Sequence, residues 1–309
     1  MREVVSQAHY TIGQTIELEP FVRRILAPNP SPMTYKGTNT YLLGTREIAV
    51  IDPGPQSSSH LNAILQAISP KQRVTHIFVT HSHLDHSPLA VRLAEITKAE
   101  IYAFGSSFEG QSAVMRSLVE QGYTGGGEGA DLEFRPHRKI RDGDLISSDD
   151  WQLGVLETPG HFSNHLSFSW GDAVFTGDHI MDWASSMVSP PDGDLSDFMA
   201  SCQKLLKQKW RIFYPGHGDP VHDPEKRTLW LINHRKQREK QIIDALEFGP
   251  ESSTGLAQRI YTETPTELLG AAARNVFAHL IDLRERAVVE SDMPFGFHSQ
   301  FRLIKIEKS

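Results

Sequence analysis

The first half of the chain alternates short apolar runs with polar or Gly/Pro-rich stretches. Phe21 to Ala27, Thr38 to Leu43 and Ile48 to Asp52 are such runs, separated by polar or Gly/Pro turns, the pattern of antiparallel strands. Between the first two, residues 29–37 form a loop that Pro30 and Pro32 hold extended. Ser57 or Ser58 can cap a helix in which Leu61, Ile64, Leu65 and Ile68 recur every three or four positions. Val74 to Val79, rich in Val, Ile, Thr and Phe, reads as a buried strand. A helix carrying Leu89, Leu93 and Ile96 follows, with Ser87 as its cap and Pro88 at its first position. Glu100 to Ala103 reads as another strand.

Beyond this point the pattern loosens. Gly122 to Gly129 holds too much glycine for a packed element and reads as a mobile surface loop, either a lid or a tolerated insertion. Strands are expected over Lys139 to Arg141, Trp151 to Glu157, Leu166 to Trp170, Ala173 to Thr176 and Arg211 to Tyr214, with Trp170-Gly171-Asp172 as a tight turn. Leu195 to Lys209 is amphipathic. From Pro224 to Phe248 one long helix is expected, apolar at Leu229, Ile232, Ile242, Ile243 and Leu246. Arg235, Lys236, Arg238 and Lys240 lie between, as a solvated face. Gly249-Pro250 breaks it. Leu256 and Ile260 then mark a short helix, and Leu269, Ala273, Val276, Leu280 and Leu283 a longer one. Ala287 to Val289 and Phe301 to Ile306 would pair as a two-stranded wing.

Composition narrows the picture modestly. A chain of 309 residues, 39% hydrophobic and 22% charged, is long enough for one large domain and a small one. No stretch approaches the ~20 apolar residues of a membrane span, so no membrane partner is expected. Met1 to Gln14 is polar without a signal-peptide core, which makes the cytoplasm the expected compartment. The single cysteine, Cys202, excludes an internal disulfide and a multi-cysteine zinc site, and reads as a buried structural thiol. A net charge of -7 gives no global attraction to polyanions.

The candidate chemistry lies directly after the buried strand, in Thr80-His81-Ser82-His83-Leu84-Asp85-His86. A lone histidine in a polar loop needs no metal to explain it; four metal-competent side chains within six residues call for one. Alternate residues of an extended segment point the same way, so His81 and His83 can converge on one ion. Asp85 and His86 turn away from them, so two adjacent ions could share the loop.

The H-x-H-x-D-H pattern after a hydrophobic strand resembles the signature of the metallo-β-lactamase superfamily of binuclear hydrolases. Thr158-Pro159-Gly160-His161, Phe175-Thr176-Gly177-Asp178 and Tyr214-Pro215-Gly216-His217 resemble its three later ligand motifs, and Ile51-Asp52-Pro53-Gly54 resembles its first. The resemblance implies an α/β fold, an αββα sandwich with a binuclear metal centre. It implies His81, His83 and His161 on one ion, Asp85, His86 and His217 on the other, and Asp178 bridging. Asp52 would brace the ligand loop. Two divalent ions are implied, Zn²⁺ before Mn²⁺ or Fe²⁺. They would activate a water between them for hydrolysis, with Asp85 or Asp178 orienting it or relaying its proton. Gly37-Thr38-Asn39-Thr40-Tyr41 resembles an early family segment, making Asn39 either a cleft residue or a turn residue. His165 matches a recurrent second histidine that approaches substrate or supports the ligands; the other reading is a hydrogen-bonded strand residue. Trp183, Met187 and Val188, after the bridging motif, either contact a ligand at the cleft rim or pack on their own helix.

His234-Arg235, Arg238-Glu239 and Gln241-Ile242 resemble the beta-lactamase-like protein two branch, of endoribonuclease type and with a C-terminal winged helix. A catalytic domain over 1–248 and a winged-helix-like domain over 249–309 are then expected. Residues 250–309 hold seven Lys/Arg against eight Asp/Glu, so this module reads as an architectural cap or a homo-oligomer contact rather than a nucleic-acid binder. For function, branch resemblance and the basic run favour a phosphodiesterase acting on RNA. Net acidity and the apolar rim favour hydrolysis of a small carbon-centred substrate such as a thioester or lactone. A non-catalytic binding module sits poorly with a complete ligand set.

Overall fold

The computed structural model describes residues 11–125 and 129–304. Four strands open it: β1 (Thr15–Glu19), β2 (Val22–Leu26), β3 (Asn39–Leu43) and β4 (Glu47–Ile51). Helix α1 (Ser58–Gln66), β5 (Arg73–Phe78), α2 (Leu89–Thr97), β6 (Glu100–Ala103), α3 (Ala113–Glu120) and β7 (Arg138–Lys139) follow. Strands β1 to β7 form one sheet in sequence order, antiparallel as far as β4 and parallel from there.

The second sheet contains β8 (Leu145–Ser147), β9 (Gln152–Glu157), β10 (Leu166–Trp170), β11 (Ala173–Gly177) and, after α4 (Leu195–Leu205), β12 (Ile212–Pro215). Its order is β12-β11-β10-β9-β8. Trp170 pairs with Ala173 across the expected two-residue turn. Aromatic and aliphatic residues from both sheets, among them Tyr41, Phe78, Phe168, Phe175 and Tyr214, fill the space between them. On its other face the first sheet buries Ile48, Val50 and Ile77 against α1 and α2, through Ile64, Leu89 and Leu93. The second sheet buries Val174 and Phe213 against Leu231 of α5 (Pro224–Leu246). Helices therefore cover both outer faces of the paired sheets, the expected αββα sandwich. Among the described residues no helix is long and apolar enough to cross a membrane.

The C-terminal module holds β13 (Glu251–Ser252), α6 (Ser253–Ile260), a 3-10 turn at Thr266–Leu268, α7 (Leu269–Glu285), β14 (Val289–Ser291) and β15 (Gln300–Leu303). It is a winged helix whose sheet has three strands, β13-β15-β14, where the sequence suggested two. Ala287 is a turn residue with φ +55 rather than a strand residue, and Ile306, expected in the wing, lies outside the described residues. The module's core includes Phe277 and Phe301, and it is continuous with Met115 and Leu118 of α3 and with Ile242, Ala245 and Leu246 of α5.

Several local expectations need correction. Ser87 does not cap α2: its hydroxyl donates to the Asp131 carboxylate at 2.7 Å, and the helix starts at Leu89. Strands β1, β8 and β13 and helix α3 were not anticipated; the strands have five, three and two residues and the helix eight. On α5, Leu229 is exposed while Arg235 is 3% exposed, the reverse of the expected faces. The described flanks of the glycine-rich loop are anchored. Tyr123 packs on Phe277 and Phe297, and the Gly129 carbonyl accepts from the Leu84 N–H; residues 126–128 lie outside the description. Cys202 is fully buried, and burial pushes its thiol up to about 12, as suits a structural residue.

Candidate metal centre

The seven candidate ligands come from the ends of strands in both sheets. The loop after β5 is fixed by Asp52, at the end of β4. One carboxylate oxygen of Asp52 accepts from the Thr80 N–H at 2.7 Å; the other accepts from the Thr80 hydroxyl at 2.7 Å and from His86 Nδ1 at 2.9 Å. The loop is thus held at both ends by one carboxylate. His161 follows β9, Asp178 follows β11, and His217 follows β12.

Two groups form. His81 Nε2 lies 2.8 Å from His83 Nδ1, which lies 3.1 Å from His161 Nε2. Asp85, His86, Asp178 and His217 make the second group, and within each group the ligating atoms all lie within 4.8 Å of one another. His217 Nε2 stands 3.1 Å from Asp85 Oδ2 and 3.2 Å from Asp178 Oδ2. That same Asp178 oxygen is 3.7 Å from His161 Nε2, so its carboxylate reaches both groups.

Hydrogen bonds away from the centre decide which nitrogen each ring presents. His86 Nδ1 gives its proton to Asp52, His161 Nδ1 to the Met187 carbonyl at 2.7 Å, and His217 Nδ1 to the Gly37 carbonyl at 3.1 Å. Thr80 spends its hydroxyl proton on Asp52, so its oxygen accepts from His81 Nδ1 at 3.0 Å. In all four rings Nε2 is the nitrogen presented to the centre, free to act as a ligand once it gives up any proton it carries.

These residues fit a pair of divalent ions. Three imidazole nitrogens crowd together, and neutral rings would set lone pairs against one another there. His86 Nε2 and Asp178 Oδ1, both buried, have no hydrogen-bond partner among the described residues and face each other at 3.5 Å. Buried polar atoms left in this way are costly unless something binds them. The electrostatics divide the two groups. Burial and the neighbouring imidazoles hold His81 well below the usual range, and burial with His161 brings His83 down to about 3. Burial also disfavours charge on His217, but the Asp178 and Asp85 carboxylates outweigh it and raise it to about 10.

Close packing leaves no room for error around Asp178. A Cβ on Gly216 would strike the Asp178 carboxylate and lie 2.7 Å from His86 Cε1. Gly177 has φ +47, and a Cβ there would meet His165 Nε2 at 2.6 Å.

The remaining sequence-predicted residues fall as follows. Asn39 is buried in β3 and is not a turn residue; its Nδ2 donates to the carbonyls of Pro215 at 3.0 Å and Gly218 at 2.9 Å, on either side of His217. His165 Nε2 accepts from the Asp178 N–H at 3.2 Å, and its ring lies 5.1 Å from that of His81. Trp183 and Met187 line a cleft of about 790 Å³ that opens on His83, Asp85, His161, Asp178 and His217. Val188 packs in the core instead, with Phe198 and Cys202 of α4.

Residues that sequence reasoning missed include Thr38, whose hydroxyl donates to Asp85 Oδ2 at 3.3 Å. Glu267, Leu268, Arg274 and Asn275, which bring the winged helix to the cleft wall, were missed too. Thr38 stood inside a quoted motif and could have been found; the others carry no signature of their own.

Residues 33–217 match the model of the Metallo-beta-lactamase superfamily, and residues 252–294 match that of the Beta-lactamase associated winged helix domain. A Beta-lactamase-like protein 2 homolog from Drosophila melanogaster is 31% identical over 288 residues, covering 89% of this chain and 91% of that protein. An Atrochrysone carboxyl ACP thioesterase from Aspergillus fumigatus is 28% identical over 270 residues, covering 86% of this chain and 77% of the relative. The crystal structure of a beta-lactamase domain protein from Burkholderia ambifaria shares the fold with a TM-score of 0.79 at 20% identity, covering 95% of this chain and 94% of that one.

Proposed function

The chain belongs to the metallo-beta-lactamase superfamily, and from that premise we propose that it is a hydrolase of a carbon-centred acyl substrate, a thioester or lactone, working with two divalent ions. His81, His83 and His161 would hold one ion, and Asp85, His86 and His217 the other. Asp178 would touch both. Imidazole and carboxylate donors suit Zn²⁺ and also accommodate Mn²⁺ or Fe²⁺. When bound, such ions supply an activated water and polarise the bond to be cut.

The chain's own groups do the rest. Asp52, the Met187 carbonyl and the Gly37 carbonyl keep the imidazoles in the ligating tautomer. Asp85, whose side chain is 23% exposed, is the more open of the two carboxylates at the centre and faces the cleft, placed to take a proton from a reacting water. The observation that carries the substrate class is the cleft wall: Met33, Leu84, Trp183, Met187 and Leu268 are apolar, and a guanidinium, Arg274, stands among them.

The basic run on α5 offers little phosphate track. Lys236 is exposed, but Arg235 is buried, Arg238 bonds Gln241 and lies over the Tyr261 ring, and Lys240 pairs with Asp244. A relative named Atrochrysone carboxyl ACP thioesterase supports the same reading. The test is turnover of acyl thioesters, lactones, a chromogenic β-lactam and single-stranded RNA by metal-quantified protein, with and without chelator, beside Asp178→Asn. Chelator-sensitive acyl turnover, lowered at least about 100-fold by the substitution, is expected. RNA cleavage without acyl turnover would overturn the substrate class and restore the endoribonuclease alternative.

A further inference from the structure

His161 differs from its partners in what fixes it. His81, His86 and His217 are braced by Thr80, Asp52 and Gly37, all at strand ends or strand entries of the sandwich. His161 is braced by the carbonyl of Met187, in a segment outside any helix or strand. That segment has no ladder of its own to hold it, so other groups must.

Two side chains do so, one from α5 and one from the winged helix. Asn275, in α7, accepts through Oδ1 from the Val188 N–H at 3.2 Å and donates through Nδ2 to the Met187 sulfur at 3.1 Å. The same Oδ1 accepts from Arg235 at 2.9 Å. The other arm of the Arg235 guanidinium donates to the carbonyls of Ser185, at 2.9 Å, and Ser186. Ser186 has φ +56, a conformation that non-glycine residues seldom adopt, and its hydroxyl donates to the His179 carbonyl at 2.9 Å. Arg235 is 3% exposed, and the acceptors it meets, Asn275 Oδ1 and the Ser185 and Ser186 carbonyls, are all neutral. Burying a guanidinium is costly, and here its planar fork holds Asn275 and the Ser185 and Ser186 carbonyls at once.

We propose that Arg235 and Asn275 are positioning residues for the metal centre, a clamp through which the winged-helix module sets the orientation of His161. The module's contribution is then to the ion held by His81, His83 and His161. This assigns a task to Arg235 within the segment from His234 to Ile242, and it rests on the reading of the seven residues as a binuclear site.

The test is a cobalt(II) titration of the full-length, metal-stripped protein, read by calorimetry and by the cobalt absorption bands, with circular dichroism confirming the fold. In Asn275→Ala one of the two cobalt ions should bind about 10- to 100-fold more weakly, with an altered spectrum, while the other binds as in the unsubstituted chain. Asn275→Asp keeps an oxygen acceptor for the Val188 N–H and for Arg235 and loses only the donor to the Met187 sulfur, and should restore affinity and spectrum. Arg235→Lys keeps the charge but loses the fork, and should repeat the Asn275→Ala result, which covers the case in which that variant does not fold. A folded Asn275→Ala or Arg235→Lys protein that binds both ions with unchanged affinity and spectrum would overturn the clamp, as would equal weakening of both ions. An unsubstituted chain that takes up no cobalt would instead remove the metal-centre reading itself.

Discussion

His81, His86, His161 and His217 each present Nε2 to the centre because Nδ1 is already committed, and for His217 the carboxylates facing Nε2 have a pH consequence. In the metal-free chain the Asp178 and Asp85 carboxylates outweigh burial and lift its pKa to about 10, above the ordinary 6.5. The protonated ring therefore stabilises the fold fully below about 6.5, and this contribution is lost as pH rises through about 10. An ion entering at neutral pH must displace that proton. Metal uptake at pH 7 should release protons, and affinity should rise with pH toward 10. Calorimetry in buffers of different ionisation enthalpy measures this; uptake without proton release would contradict the charge assignment. At this scale the sequence was most legible where side chains carry the chemistry. His81, His83, Asp85 and His86 lie in one loop, and their distant partners follow glycine-containing turns. The Met187 and Gly37 carbonyls were not legible, because a backbone acceptor leaves no residue type to read.

Among the elements, strands were legible where apolar residues are dense, as in β5, and illegible where they are short and exposed, as in β8. Helix α5 shows both outcomes. Its start could be read from Pro224, and Asp223 caps it by accepting from the Lys226 N–H at 3.1 Å. Asp223→Ala should cost about 1 kcal/mol in urea unfolding with the slope unchanged, and an unaltered midpoint would remove the cap from the account. Its faces could not be read. A basic residue among charged neighbours normally marks solvent, yet Arg235 turns inward to the carbonyls of Ser185 and Ser186. Only the tertiary position of that segment makes burial of the charge tolerable.

At the scale of the whole molecule, the core around Phe277 joins the winged helix to α3 and to the end of α5. The two modules should therefore unfold in one calorimetric transition, and Phe277→Ala, at a fully buried position, should lower stability by about 3–5 kcal/mol. Two separated transitions would show that the shared core does not couple them. The coupling also places Asn275 and Arg274 on the wall of the cleft, something no local pattern in the C-terminal sequence announces.

The measurement that bears most directly on the metal centre is anomalous diffraction at the zinc edge from crystals of zinc-loaded protein. Two peaks are predicted, one among His81 Nε2, His83 Nδ1 and His161 Nε2, the other among Asp85, His86 and His217, with Asp178 in contact with both. A single peak away from Asp178, or no peak at these seven residues, would contradict a binuclear hydrolytic centre.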